Sequence, residues 1–112
     1  MKLAILGAGA WGTAFGLSQR ERHAITLWTW QREHAEAMRA DRVNAFLPGH
    51  PLHESIRIEH ELPTALAGAE LLIVATPTAA LRSTLDAITK AGSTTPIVWL
   101  CKGFEPATAK FP

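Results

Sequence analysis

Lys2-Leu3-Ala4-Ile5-Leu6-Gly7-Ala8-Gly9-Ala10-Trp11-Gly12-Thr13-Ala14 is the stretch on which the fold turns. Lys2 to Leu6 is a short apolar run closed by glycine, which reads as a strand. Ala10 to Arg20 is rich in Ala and Leu and has the length of a helix. Between them stand Gly7, Gly9 and Gly12, the spacing of a turn that passes from strand to helix in a few residues. Gly7 allows the tight turn, Gly9 lets backbone amides come close to a pyrophosphate, and Gly12 lets the helix lie close to the strand. A helix N-terminus offers unpaired N–H groups, so this turn is suited to an anion. Glycines at this spacing also serve plain structural turns; their place after an apolar strand and before a helix favours phosphate binding.

Downstream, the same alternation continues. Ala24 to Trp30 is a second strand, with Ile25 and Leu27 on one face and Ala24, Trp28 and Trp30 on the other, covered on both sides. Trp28 is expected in the core. Gln31 to Asp41 places Ala35, Met38 and Ala40 among charges and reads as a short amphipathic helix. Asn44 to Pro51 holds Pro48, Gly49 and Pro51 and reads as a loop. Ile56 and Ile58 alternate with charged residues in a short, partly exposed strand, and Leu62 to Ala67 is a brief helix. Glu70 to Ala75 is another buried strand, stopped by Pro77. Thr78 to Ala91 carries Leu81, Leu85 and Ile88 on one helical face, and Pro96 to Leu100 is a last apolar strand. Strands alternating with helices require crossovers, hence an α/β fold with a doubly wound, mainly parallel, Rossmann-like sheet.

Composition narrows the function classes. The 112 residues suit one domain, 1–112, so a second domain would have to come from outside this sequence. With 11 Lys and Arg against 10 Asp and Glu, and no basic run, the footprint of a nucleic-acid binder is missing. Cys101 is the single cysteine, which excludes an internal disulfide and suits a reducing, cytoplasmic setting. Neither a signal peptide nor an integral membrane segment is expected. Phe111 and Pro112 follow what reads as the opening of another segment, so the chain is expected to be a fragment.

Ligands of open α/β sheets bind outside the carboxyl ends of the strands, and three such ends carry candidate residues. After the second strand, Trp30, Gln31 and Arg32 occupy the place that faces the adenosine ribose. An acidic residue about 20 positions past the glycines would favour NAD; here the nearest carboxylate is Glu33, and Arg32 suits a 2′-phosphate. After the next such end comes Pro77, which turns the chain without needing an N–H, so that neighbouring backbone can face a nicotinamide ring. After the last comes Lys102, where a cation can hold a phosphate or stabilise charge developing on a carbonyl oxygen. His50, His53 and His60 lack metal-ligand spacing, so no metal site is expected. Cys101 reads as the small end of a buried strand rather than a nucleophile.

Gly7 to Ala14, Asn44-Ala45-Phe46-Leu47-Pro48-Gly49, Val74-Ala75-Thr76-Pro77 and Cys101-Lys102-Gly103-Phe104-Glu105 occur in this order. Together they resemble the bacterial NAD(P)-dependent glycerol-3-phosphate dehydrogenases over nearly the whole chain. The glycine motif is common to many dehydrogenases; the Asn-to-Gly loop and the Lys-Gly-aromatic-Glu segment are more specific. The resemblance implies hydride transfer between NAD(P)H and dihydroxyacetone phosphate, giving sn-glycerol 3-phosphate for phospholipid synthesis. It implies Ala10 and Trp11 as cofactor-loop residues, Trp30 and Gln31 as adenosine-side residues, and Lys102 as the residue touching both nicotinamide and substrate, the catalytic residue of this segment. Trp30 and Gln31 depart from the His and Arg frequent there, which leaves both NADP and NAD open. The family's proton-transferring lysine lies in a helical C-terminal domain absent from this chain, through which a homodimer could also form, so the fragment alone is expected to bind cofactor with little or no turnover. Two other readings share the glycine loop: a dehydrogenase of a 2-oxo acid or sugar acid, and a non-catalytic NAD(P)-sensing module.

Overall fold

The computed structural model describes residues 1–76 and 78–99. Five strands, β1 (Lys2–Leu6), β2 (Ala24–Trp28), β3 (Arg57–Glu59), β4 (Leu71–Val74) and β5 (Ile97–Trp99), alternate with four helices. The helices are α1 (Ala10–Gln19), α2 (Arg32–Asp41), α3 (Leu62–Leu66) and α4 (Thr78–Lys90). The strands form one sheet in the order β3-β2-β1-β4-β5, and every pairing is parallel, with Leu3 opposite Ile25 on one side and Leu71 on the other. The expected Rossmann-like, doubly wound sheet is therefore present.

Apolar residues of both faces of the strands explain the winding. Leu3, Ile5, Ile25, Leu27 and Ile58 point to one face, where Ala35 and Met38 of α2 and Phe15 of α1 cover them. Ala4, Leu6, Trp28, Leu72 and Val74 point to the other, under Ala65 of α3 and Leu85 and Ile88 of α4. Trp28 is a core residue, as its pattern implies. Burying one such Leu or Ile contributes on the order of 1.5–3 kcal/mol, so the two clusters supply the main stabilisation. The strand order reverses between β1 and β4, and there the chain changes face through α3. That reversal opens the crevice in which such sheets take ligands.

One boundary differs from the sequence reading. The second strand ends at Trp28, and Trp30 is 72% exposed instead of lying on a covered face. Thr29 makes the difference: its N–H donates to the Glu59 carbonyl (3.0 Å) while its Oγ1 accepts from the Gln31 N–H (3.2 Å), turning the chain outward. The β3 region is the short, partly exposed strand expected, with Ile56 and Ile58 inside, Arg57 exposed and Glu59 half-buried. Arg39 of α2 holds this strand by donating from Nε and Nη2 to the Ile58 carbonyl at 2.9 and 2.6 Å. At the opposite edge, Ile97, Val98 and Trp99 of β5 are 39–55% exposed. Among the described residues no helix is long and apolar enough to cross a membrane.

Candidate dinucleotide site

The turn from β1 into α1 begins with Gly7 at φ 124°, a backbone conformation that side chains rarely adopt. Its N–H donates to the Trp28 carbonyl (2.9 Å), and on the other side Ala75 N–H donates to the Leu6 carbonyl (2.9 Å). The turn is thus wedged between the ends of β2 and β4. A Cβ on Gly7 would lie 2.9 Å from the Ala75 carbonyl carbon and oxygen, so the close approach also requires glycine. At Gly12 a Cβ would run into the Gly7 carbonyl oxygen and meet Ala75 Cβ at 3.1 Å and Ile5 Cγ2 at 3.2 Å. Helix and strand therefore pack through Gly12, the role its position in the motif suggests.

Gly9 is different. Nothing lies within 4 Å of a Cβ placed there, so the space in front of it is open. Gly9 is the N-cap of α1 and cannot cap with a side chain; the first turn carries no acidic residue. Thr13 N–H returns to the Gly9 carbonyl (3.1 Å), which leaves the N–H groups at the start of α1 without helical partners. An uncapped N-terminus beside an open space, at the reversal of strand order, has unpaired N–H groups with room to receive an anion. Ala10 and Trp11 occupy the first turn of α1 and are exposed, Trp11 by 45%. Beside this turn, Thr76 Oγ1 is buried without a hydrogen-bond partner among the described residues, and a Cβ on Gly7 would lie 3.0 Å from Thr76 N. A buried hydroxyl left unpaired next to the crevice fits a ligand that brings its own polar atoms.

At the end of β2, Trp30, Gln31 and Arg32 are all exposed, with Gln31 capping α2 through its backbone. Arg32 Nε lies 3.4 Å from His60 Nε2 and joins no salt bridge among the described residues. By contrast Arg39 and Arg57 both pair with Glu59, at 3.4 and 3.0 Å, and Arg42 donates to the His53 and Ile56 carbonyls. Among the described residues, Arg32 is thus a cation at this strand end without a carboxylate partner. The structure brings Gly7, Gly9, Ala10, Trp11 and Gly12 together at one strand end and Trp30, Gln31 and Arg32 at the next, both on the carboxyl edge of the sheet. Pro77, Cys101 and Lys102 lie outside the described residues.

The remaining candidates do not converge. His50 is exposed, His53 Nδ1 accepts from the Ser55 N–H (3.1 Å), and His60 sits by Arg32. Among the described residues no group of three His, Cys, Asp or Glu side chains could hold a metal. A shallow groove between the end of α3 and the α4–β5 link, lined by Pro63, Leu66 and Thr95, lies at the amino end of the strands, away from this crevice.

Two features escaped the sequence reading. Gly16, one turn after Gly12, lets Ile5 Cδ1 and Ile25 Cγ2 approach to 3.0 and 3.2 Å of where its Cβ would be; the repeat of glycine four residues on was the available signal. Asn44 is completely buried, although it opens a loop. Its Nδ2 donates to the Ala8 carbonyl and to Thr13 Oγ1, both at 2.7 Å, which joins that loop to the glycine turn.

Comparison with known proteins agrees with this geometry. The profile of the NAD-dependent glycerol-3-phosphate dehydrogenase N-terminus matches residues 2–112. The glycerol-3-phosphate dehydrogenase [NAD(P)+] of Thiobacillus denitrificans is 47% identical over the whole chain, and that of Variovorax paradoxus is 48% identical over 96% of it. The chain spans about a third of the length of these relatives, 34% and 32%. The crystal structure of glycerol-3-phosphate dehydrogenase from Coxiella burnetii superposes with a TM-score of 0.83 at 30% identity, covering 89% of this chain and 32% of that one. Glycine turn, parallel sheet and sequence likeness thus agree, and the chain belongs to the family of NAD-dependent glycerol-3-phosphate dehydrogenase N-terminal domains.

Proposed function

We propose that residues 1–112 are the dinucleotide-binding domain of an NAD(P)-dependent glycerol-3-phosphate dehydrogenase, whose active site is completed by a helical C-terminal domain. The observation that carries this reading is the uncapped N-terminus of α1, set at the reversal of strand order with open space before Gly9. Gly7 shapes the turn and Gly12 brings α1 against it, so that the backbone at Gly9, Ala10 and Trp11 can receive the pyrophosphate. Trp30, Gln31 and Arg32 face the adenosine half, where Arg32 accommodates a 2′-phosphate and makes NADP as acceptable as NAD.

The nicotinamide, when bound, supplies hydride to the carbonyl carbon of dihydroxyacetone phosphate, and a proton completes sn-glycerol 3-phosphate; the reverse reaction returns both. By the family resemblance, Pro77 and Lys102, which lie outside the described residues, belong to the nicotinamide side, and Lys102 would supply a cation to stabilise charge developing on the carbonyl oxygen. The product serves glycerophospholipid synthesis, in a cytoplasmic setting. The partner molecules are this substrate pair and, through the C-terminal domain, a second copy of the protein; a net charge of +1 with no basic run in the sequence argues against a nucleic-acid partner.

The test is calorimetric titration of the protein with NADPH and NADH, alongside an assay of NADPH oxidation with dihydroxyacetone phosphate. Saturable binding that Gly9→Asp abolishes is expected, with turnover only where the C-terminal domain is present. Folded protein that binds neither cofactor refutes the reading.

A further inference from the structure

Asn44 sits where the glycine turn, α1 and the loop after α2 meet, and its hydrogen bonds can be assigned without ambiguity. Phe46 N–H lies 2.9 Å from Oδ1 and can only donate, so that atom is the oxygen. Nδ2 then donates both its hydrogens, to the Ala8 carbonyl and to Thr13 Oγ1, each at 2.7 Å. His34 Nε2 is 3.0 Å from Oδ1 and must carry a hydrogen, which fixes that imidazole as the Nε2–H form or the cation. Every donor and acceptor of the amide is used, in a side chain with no exposed surface. Its base is firm as well: Val43 bridges Pro51, Leu52 N–H donates to the Arg42 carbonyl (2.6 Å), and Leu47 N–H donates to the Asn44 carbonyl (2.8 Å).

The Ala8 carbonyl matters because of what lies across the same peptide unit. In a trans peptide the C=O and the following N–H point in opposite directions. Binding the Ala8 oxygen to buried Asn44 therefore turns the Gly9 N–H the other way. It also keeps a carbonyl oxygen from facing an anion at the start of α1. We propose that Asn44 is a positioning residue for the dinucleotide pyrophosphate: it orients the Ala8–Gly9 peptide and anchors Thr13 in the first turn of α1, while His34 orients the amide. The loop that carries Asn44 acts as a clasp on the glycine turn. This rests on the dinucleotide reading above.

The experiment measures dissociation constants of the protein for NADH, NADPH, ADP-ribose and adenosine by calorimetry, with melting temperatures in parallel. Asn44→Ala is expected to weaken NADH, NADPH and ADP-ribose by about tenfold or more, and adenosine, which has no phosphate, by less than about twofold. Ile58→Ala, a core position on the border strand β3 that belongs neither to the glycine turn nor to the Asn44 hydrogen bonds, serves as a control for lost stability and is expected to change all four by less than about twofold. His34→Ala should weaken the dinucleotides by about threefold, and His34→Gln, which keeps an N–H, should recover most of that loss. Dinucleotide binding within about twofold of normal in Asn44→Ala, or an equal loss in Ile58→Ala, overturns the positioning role while leaving the dinucleotide site intact. Failure of the unaltered, folded protein to bind NADH and NADPH overturns the site itself and this role with it.

Discussion

Replacing Gly12 by alanine sets two opposed effects against each other. A helix interior gains about 1 kcal/mol when alanine takes the place of glycine. Against that, the new methyl group would collide with the Gly7 carbonyl oxygen and press on Ala75 Cβ at 3.1 Å and Ile5 Cγ2 at 3.2 Å. The Gly7 oxygen cannot easily retreat, because its residue is held at φ 124° and its N–H is bonded to Trp28. Overpacking costs about 1–3 kcal/mol, and a backbone obstacle argues for the upper end, so the net loss is about 2 kcal/mol. For a chain of this size that lowers Tm by about 8–16 °C. Gly9→Ala provides the contrast, since nothing lies within 4 Å of its Cβ and its φ of −79° suits alanine. Only a modest N-cap preference is lost, about 0.5–1 kcal/mol, yet the methyl group enters the open space proposed for the pyrophosphate. Gly9→Ala should therefore melt within about 8 °C of the parent and bind NADPH about a hundredfold more weakly. Gly16→Ala touches only the ends of Ile5 and Ile25, which can rotate away, and should stay within about 1 kcal/mol of the parent. Thermal unfolding followed by circular dichroism orders the three variants. If Gly12→Ala melts within about 2 °C of the parent, or Gly9→Ala melts as low as Gly12→Ala, the division of labour among the glycines is wrong.

Other consequences are as direct. Arg32→Gln should weaken NADPH by about three- to tenfold and leave NADH nearly unchanged, read by paired titrations; equal loss for both would remove Arg32 from the 2′-phosphate. Met38→Ala empties a fully buried position under the sheet and should cost about 2–5 kcal/mol in denaturant unfolding. Glu59→Gln breaks pairs with Arg39 and Arg57 that are partly open to water, so a loss above about 1 kcal/mol would contradict the geometry. Tryptophan emission should be quenched by cofactor mainly through exposed Trp11 and Trp30, not buried Trp28; a quench unchanged in a Trp11→Phe, Trp30→Phe double variant would place the ligand elsewhere.

The fold was legible in the chain because its signals are local. β1, the glycine turn and α1 stand where the sequence puts them, within one residue at the end of α1. The overshoot of β2 has a local cause that apolar pattern cannot show. Trp28 and Trp30 look alike in a two-residue period, and only the bonds made by Thr29 to Glu59 and Gln31 separate core from surface. The burial of Ile56 and Ile58 follows their alternation with charged residues, with α2 lying over them. Asn44 shows the limit most clearly. A polar residue opening a proline-rich loop reads as solvated, and its partners Ala8 and Thr13 are 36 and 31 residues away. The motif that contains it was visible as a family mark; its physical task was not.

Arg39 has a consequence for the two borders of the sheet. In β3, the Glu59 carbonyl faces β2, where it accepts from Thr29, so the Ile58 carbonyl faces outward, and Arg39 occupies it with two N–H groups. Arg57 and Glu59 add charge along the same margin. Among the described residues β5 has no such guard and no strand beyond it, and its own residues are apolar and half exposed. The two margins thus differ in chemistry: on the β3 side an outward carbonyl is taken and the rim is charged, whereas the described face of β5 is apolar, the kind of edge along which a further strand can pair.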